Sequence, residues 1–359
     1  MDTPNIVLIL TDQHGFQTLG CYGNSVVKTP NLDTLADEAT VFDAAYTASP
    51  ICGPARGSMF TGLYPASHGE VLNWQPLKAG TVLSTDRLAH HGYCNGLVGK
   101  LHLYPGIKTF GFHDKRLHDA PYDIYCPEEP HESAYVQWLA KELFNGDVSE
   151  VITRANASEK NPVDSSRFWL GESWVDEQHH DTTWAGNEAV AMLGRLRERE
   201  PFFLNLSFFG PHHPYAPPSP WDTMYNADDI ELPSTYNAEM RDCPIYDEHK
   251  RSRSENAKTN WGERGFREMM AAYYGYVSMI DYQVGRLCEE LKRRQLWEDT
   301  LVIFTADHGD FIGHYGLTGK GSMYEPSARV PLIIKPPGPR QGGRRCHAVV
   351  NNIDVFGTT

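Results

Sequence analysis

The chain has 359 residues, of which 40% are hydrophobic and 11% aromatic, a composition typical of a folded, enzyme-sized protein rather than a disordered one. Its formal net charge of −14 disfavours nucleic acid as a partner, because counterion release requires a basic face. No apolar stretch approaches the roughly 18 to 20 residues that cross a membrane, so no membrane partner is predicted.

Strands and helices are predicted to alternate along the chain. In chain order they are a strand at 5–10, a helix after Pro30, a helix at 84–93, a strand at 94–100, a helix at 133–144, a helix at 183–199, a strand at 201–209, a helix at 266–294, and strands at 300–310 and 329–336. This alternation predicts an α/β fold, with a largely parallel central sheet and helices on both faces.

Two segments interrupt the alternation, and both are rich in proline and polar residues. We expect residues 103–180 and 214–262 to be loop insertions that shape the mouth of a site in one catalytic domain over 1–359. The last residues, 351–359, resemble a helix start that is cut short, which predicts a chain incomplete at its C-terminus.

The N-terminal sequence and the spacing of the cysteines bear on the cellular location of the protein. The stretch "MDTPNIVLILTDQ" has no basic region before its apolar run, so we expect no secretory signal here. A cytoplasmic location is expected, or a periplasmic or secreted one if a signal has been removed. The seven cysteines are scattered without a Cys-x-x-Cys pair, which argues against a disulfide scaffold.

Polar residues follow three of the predicted strands: Asp12 with Gln13, Lys100 with His102, and Asp307 with His308. A single aspartate at a strand end is more often a turn residue than a metal ligand. If parallel strands place two of these ends side by side, their mostly oxygen donors suit a hard divalent cation.

The stretch "CGPARGSMFTG" places Cys52 two residues before Pro54 and four before Arg56. Such a cysteine can be a buried apolar thiol or a nucleophile activated by a histidine. The nucleophile interpretation gives no reason for Pro54, and it leaves Arg56 as a generic counter-charge.

These residues resemble the sulfatase family of the alkaline-phosphatase-like superfamily. "PICGPARGSMFTG" resembles the family's C-x-P-x-R signature, "GYCNGLVGKLH" resembles its second signature, and "LTDQHG", "FFGPHHPY", "TADHGD" and "GKGSMYE" follow in the family's order. The resemblance spans essentially the whole chain. It implies the alkaline-phosphatase-like fold, and a chain that lacks the family's smaller C-terminal subdomain.

The resemblance implies that a formylglycine-generating enzyme oxidises Cys52 to Cα-formylglycine, the catalytic group for hydrolysis of a small-molecule or saccharide sulfate ester. Arg56 would hold the hydroxyls of this group, and Lys100 and Lys320 would bind the sulfate. The implied metal ligands are Asp12, Gln13, Asp307, His308 and the modified Cys52. Gln13 and His308 stand where many members carry Asp and Asn, which implies a less anionic and slightly softer set of metal ligands. Calcium is still expected first, with manganese or magnesium as alternatives.

Three histidines and one asparagine complete the implied site. His102 would be the base that releases sulfate. The alternative is a loop histidine whose hydrogen bonds are satisfied within the protein. His212 would protonate the leaving group, and its neighbour His213 competes for that role. Asn73 would offer an amide to the substrate, although a plain turn asparagine fits nearly as well.

Two other functions stay open at this stage. A phosphonate monoester or phosphodiester hydrolase of the same superfamily uses the same aldehyde and metal ligands, with a lysine thirteen residues after the metal aspartate, as Lys320 follows Asp307. A catalytically silent metal-binding scaffold would be expected to lack Cys52, Arg56 or Lys320, and all three are present.

Overall fold

The structure is a computed structural model that describes residues 3–106, 108–119, 133–160, 170–196, 201–240, 244–339 and 342–359. The strands are β1 (Asn5–Thr11), β2 (Thr40–Tyr46), β3 (Cys94–Gly99), β4 (Asp114–Leu117), β5 (Phe202–Ser207), β6 (Thr300–Ala306), β7 (Leu332–Lys335) and β8 (Arg344–Asn351). The helices are α1 (Pro30–Ala36), α2 (Cys52–Thr61), α3 (Pro65–His68), α4 (Ser84–His90), α5 (Ala134–Leu143), α6 (Val148–Lys160), α7 (Asp181–Leu196), α8 (Pro244–Arg293), α9 (Glu325–Ala328) and α10 (Asp354–Thr358).

The described strands form an eight-stranded sheet in the order β4-β3-β5-β1-β6-β7-β2-β8. Neighbouring strands are parallel, except that β7 is antiparallel to both β6 and β2. The predicted largely parallel sheet is therefore confirmed. Its central strand, β1, is buried along its whole length, as expected for a strand covered on both faces.

Alternate residues of β1 enter two different cores, because successive side chains of a strand point to opposite faces. Val7 and Ile9 pack with residues of α1, α5, α7 and α8, whereas Ile6, Leu8 and Leu10 pack with residues of α2 and α4. Helices thus cover both faces of the sheet, as predicted. Within the described residues, no helix combines the length and apolar character that crossing a membrane would require.

The two predicted loop insertions contain regular structure. The first includes β4, α5 and α6, although residues 107, 120–132 and 161–169 lie outside the described part. In the second, residues 244–262 already belong to α8, which bends at Gly262 with φ 61° and ψ −178°. The predicted end of the helix at 183–199 also lies outside the described residues beyond Leu196.

Candidate active site

The carboxyl ends of β1, β5, β3 and β6 deliver polar residues to one edge of the sheet. Asp12 directly follows β1, Lys100 follows β3, Ser207 ends β5, and Asp307 follows β6. These four strands are neighbours in the sheet, so their ends meet. This edge is where open α/β sheets hold their ligands.

Helix α2 places Cys52 at this edge, as its first residue. The helix is buried at every position, and Met59 and Phe60 anchor it in the core on one face of the sheet. The amide of Gly53 donates to Asn73 Oδ1 at 2.9 Å, which satisfies one of the free N–H groups at the helix start. Asn73 therefore caps the helix that carries the cysteine.

The Cys52 thiol lies among charged side chains. Its Sγ is 2.8 Å from Lys320 Nζ, 3.2 Å from His308 Nε2 and 3.7 Å from Asp12 Oδ1. Burial and the Asp12 carboxylate raise the pKa of the thiol, but Lys320, Lys100 and His308 outweigh them and hold that pKa below its ordinary value. The position favours a negatively charged oxygen or sulfur.

Arg56 lies one helical turn after Cys52, and its side chain is fully buried. Its Nε donates to Asp307 Oδ2 at 2.9 Å and its Nη2 to Asp12 Oδ2 at 3.3 Å. Its Nη1 donates to Ser207 Oγ and to the Lys100 carbonyl oxygen, each at 2.9 Å. One guanidinium thus links four strand ends and serves as counter-ion to both carboxylates.

The predicted metal ligands converge. The donor atoms of Asp12, Cys52, Asp307 and His308 all lie within 4.8 Å of one another, and all four residues are buried. His308 Nδ1 donates to the Gly309 carbonyl oxygen at 3.0 Å, which leaves the lone pair of Nε2 facing the carboxylates. This donor set fits a divalent cation.

Gln13 has a left-handed backbone, with φ 61°. Its side-chain Nε2 donates to Asp310 Oδ2 at 2.5 Å, while its Oε1 is buried and has no hydrogen-bond partner among the described residues. A buried acceptor without a partner is costly unless a ligand binds it. Gln13 therefore also fits the predicted metal site.

Asp310 and Asp119 are supporting residues that the sequence analysis missed. Asp310 Oδ2 accepts from the Tyr215 hydroxyl at 2.5 Å, and its Oδ1 accepts from the amide of Gly319, next to Lys320. Asp119 Oδ1 accepts from the amide of His102 at 2.8 Å. The repeated aspartate of "TADHGD" is a sequence signal for Asp310, whereas nothing local in the sequence marks Asp119.

His102 is buried beside the cationic groups of the site. Neither ring nitrogen has a hydrogen-bond partner in the described part of the chain, and its backbone is left-handed, with φ 55°. Burial, followed by the charges of Lys100 and Arg56, holds the pKa of His102 well below 6.5. A neutral imidazole with its nitrogens available suits a general base.

His212 and His213 stack with ring centres 4.0 Å apart. His212 Nδ1 lies 2.7 Å from the His213 carbonyl oxygen, so Nδ1 must donate, and the neutral ring presents Nε2 as an acceptor. Burial, Lys320 and His213 lower the pKa of His212. His212 can therefore donate from Nε2 only when an anion, such as a bound ester, offsets the charge of Lys320.

Comparisons with known proteins agree with this geometry. The sequence matches the Sulfatase family over residues 4–359. It is 33% identical over 357 residues to an arylsulfatase of Clostridium perfringens, covering 95% of this chain and 70% of that protein. It is 31% identical to the multifunctional alkaline phosphatase superfamily protein PehA of Trinickia caryophylli, covering 100% of this chain and 73% of that protein.

A solved structure is also similar. The crystal structure of the phosphonate monoester hydrolase of Agrobacterium radiobacter superposes with a TM-score of 0.78 at 27% identity, covering 98% of this chain and 72% of that chain. The fold is thus alkaline-phosphatase-like, as predicted. The chain belongs to the sulfatase family, and its class of enzyme is that of the sulfuric ester hydrolases.

Proposed function

We propose that this protein hydrolyses a sulfate monoester, with residue 52 converted from cysteine to Cα-formylglycine. A divalent cation is bound beside this residue, and calcium is the first candidate for it. The observation that carries the proposal is the place of Cys52 Sγ, between His308 Nε2 at 3.2 Å and Lys320 Nζ at 2.8 Å. This supports a reacting group that lies between the proposed metal ligands and a side chain proposed to bind anions. Maturation would require a formylglycine-generating enzyme.

The modification and the cation would supply defined chemistry. The modification would offer two geminal hydroxyls, one to attack sulfur and one whose deprotonation releases sulfate. When bound, the cation would lower the pKa of the attacking hydroxyl and stabilise charge on a sulfate oxygen. Asp12, Gln13, Asp307 and His308, together with residue 52, would hold it.

The basic side chains bind the anion. Three cationic side chains pair with two carboxylates at the site, so positive charge exceeds negative charge. The cations are Arg56, Lys100 and Lys320, and the carboxylates are those of Asp12 and Asp307. Lys100 Nζ pairs with Asp12 Oδ2 at 2.7 Å. Burial lowers the pKa of Lys320, but Cys52 and Asp12 outweigh burial and hold that pKa above its ordinary value. Both lysines therefore carry positive charge for the sulfate oxygens, and the start of α2 adds its dipole.

The histidines move protons. His102 takes the proton of the second hydroxyl, which expels sulfate. His212 gives a proton to the departing ester oxygen from Nε2, with Lys320 beside it. Asn73 caps the start of α2 by accepting from the amide of Gly53, and contact with the substrate is a secondary role in this proposal.

A phosphonate monoester or phosphodiester hydrolase is the second candidate. It is favoured by the likeness to the phosphonate monoester hydrolase structure and to PehA. Sulfate and phosphonate esters are both tetrahedral monoanions, so the same basic groups serve either one. A catalytically silent scaffold is disfavoured because the reactive residue and the cationic groups around it are all in place.

The test is a rate comparison on protein produced together with the maturing enzyme. Phenyl sulfate, a sugar sulfate and a phenyl phosphonate monoester are assayed in parallel. The proposal expects the highest kcat/KM for a sulfate. A higher kcat/KM for the phosphonate supports the second candidate, and no turnover of any ester by converted protein contradicts both.

A further inference from the structure

The segment after α3 exposes apolar side chains next to the site. Of the eleven exposed large hydrophobic side chains in the described part of the chain, four lie after α3, between residues 71 and 82. Three of them, Val71, Leu72 and Trp74, lie within four residues. Exposed apolar groups this close together mark a contact surface more often than chance exposure does.

Trp74 is held at the site by two contacts. Its neighbour Asn73 bonds to Gly53, directly after Cys52, and its own ring centre lies 4.6 Å from the ring of His102, tilted by 48°. Trp74 therefore borders the proposed base, and its neighbour Asn73 contacts the residue after Cys52. Of the Trp74 residue, 37% remains exposed.

The backbone fixes this position. Trp74 has φ 69°, which is uncommon for a bulky residue and persists only where the surroundings determine it. Gln75 Oε1 accepts from the amides of Val71 and Leu72, both at 3.1 Å, and Pro76 pairs with Tyr104 in a parallel bridge. The indole is thus presented in one orientation at the mouth of the site.

We propose that Trp74 is a stacking platform that binds a ring in the alcohol part of the ester and makes the enzyme selective for ring alcohols over flexible alkyl chains. This inference rests on the proposed function. The cationic groups bind the acid part of the ester, and an exposed aromatic face beside them suits a planar ring or the C–H face of a pyranose.

The test uses three sulfates of primary alcohols, so that the leaving groups are matched: benzyl sulfate, D-glucose 6-sulfate and n-heptyl sulfate. In Trp74→Ala, kcat/KM for the two ring esters should fall about tenfold, and that for n-heptyl sulfate less than twofold. Trp74→Phe, which keeps an aromatic face, should restore most of the loss. Val349→Ala, at an exposed apolar side chain of β8 outside this segment, should leave all three values unchanged.

Equal losses on all three esters would overturn the proposal, since Trp74 would then act through His102 or through the fold. Unchanged values in Trp74→Ala would overturn it as well. If the converted wild-type protein hydrolyses none of the sulfates, the proposed function fails separately. In that case the methylphosphonate monoesters of the same three alcohols are assayed. The ratio of kcat/KM in Trp74→Ala to that in the wild type, compared between ring and alkyl esters, then decides the role of Trp74.

Discussion

Replacing Arg56 with glutamine removes the shared counter-ion of two buried carboxylates. The guanidinium contributes four hydrogen bonds, at 2.9 Å to Asp307, 3.3 Å to Asp12, and 2.9 Å each to Ser207 and the Lys100 carbonyl. Breaking a buried ion pair by removing one partner costs about 3–5 kcal/mol. Lys100, at 2.7 Å from Asp12, compensates only one of the two carboxylates.

This cost can be converted into a melting shift. An unfolding entropy of about 2.1 cal/mol/K per residue gives roughly 0.75 kcal/mol/K for 359 residues, so Arg56→Gln should lower Tm by about 4–7 °C. The fall should be largest with a chelator present. Saturating calcium gives both carboxylates another positive partner and should reduce the fall.

The assay is thermal unfolding of both proteins, once with a chelator and once with calcium. Ser207→Ala is the matched control, because it removes one contact of Arg56 and leaves both carboxylates paired. Its Tm should fall by about 2–4 °C, as for one hydrogen bond to a charged group, and equally with and without calcium. An Arg56→Gln shift below about 1 °C with the chelator, or one that calcium leaves unchanged, would refute the reasoning.

Four further outcomes are expected. Asp307→Asn should lose the stoichiometric divalent cation together with turnover, and elemental analysis that finds no such cation in active wild-type protein would contradict the metal assignment. His212→Ala should lower kcat/KM about 10²- to 10⁴-fold on an alkyl sulfate and far less on nitrophenyl sulfate. If His213→Ala shows this dependence on the leaving group and His212→Ala does not, the acid role belongs to His213. The net charge of −14 should leave kcat/KM for a singly charged substrate nearly flat as salt rises, and a steep fall would reveal a basic groove. Because His102 must be neutral to act as the base of sulfate release, and burial with the nearby cations holds its pKa below 6.5, the acid limb of kcat should lie below pH 6.5. A His102-dependent limb of kcat above that pH would count against the assignment.

Much of the fold could be predicted from long apolar runs. Residues 5–10 and 300–306 are continuously apolar or nearly so, and both are buried central strands that end in acidic residues. Strand β2 was not predicted, because most of its residues are only partly buried and Asp43 interrupts the pattern. Strand β8 is largely exposed at the edge of the sheet, so its apolar pattern is weak.

The site was predictable where each residue follows a strand or belongs to a recognisable motif. Arg56 could be assigned to the site, but its position beneath both carboxylates depends on how the ends of four strands meet. Asp119 could not be assigned, because only the fold brings it close to the amide of His102. Asp310 lies within the "TADHGD" motif, but its contact with the amide of Gly319 depends on the fold. The capping contact of Asn73 with Gly53, twenty residues away, has no local sequence signal either.

The chemical state of residue 52 tests the central claim most directly. Protein is produced with and without a formylglycine-generating enzyme, and the tryptic peptide covering residues 29–56 is analysed by mass spectrometry for thiol or aldehyde at Cys52. The account predicts that kcat for a sulfate ester rises in proportion to the fraction converted to the aldehyde, and that Cys52→Ala is inactive. Full activity in protein that retains the unmodified thiol would contradict it.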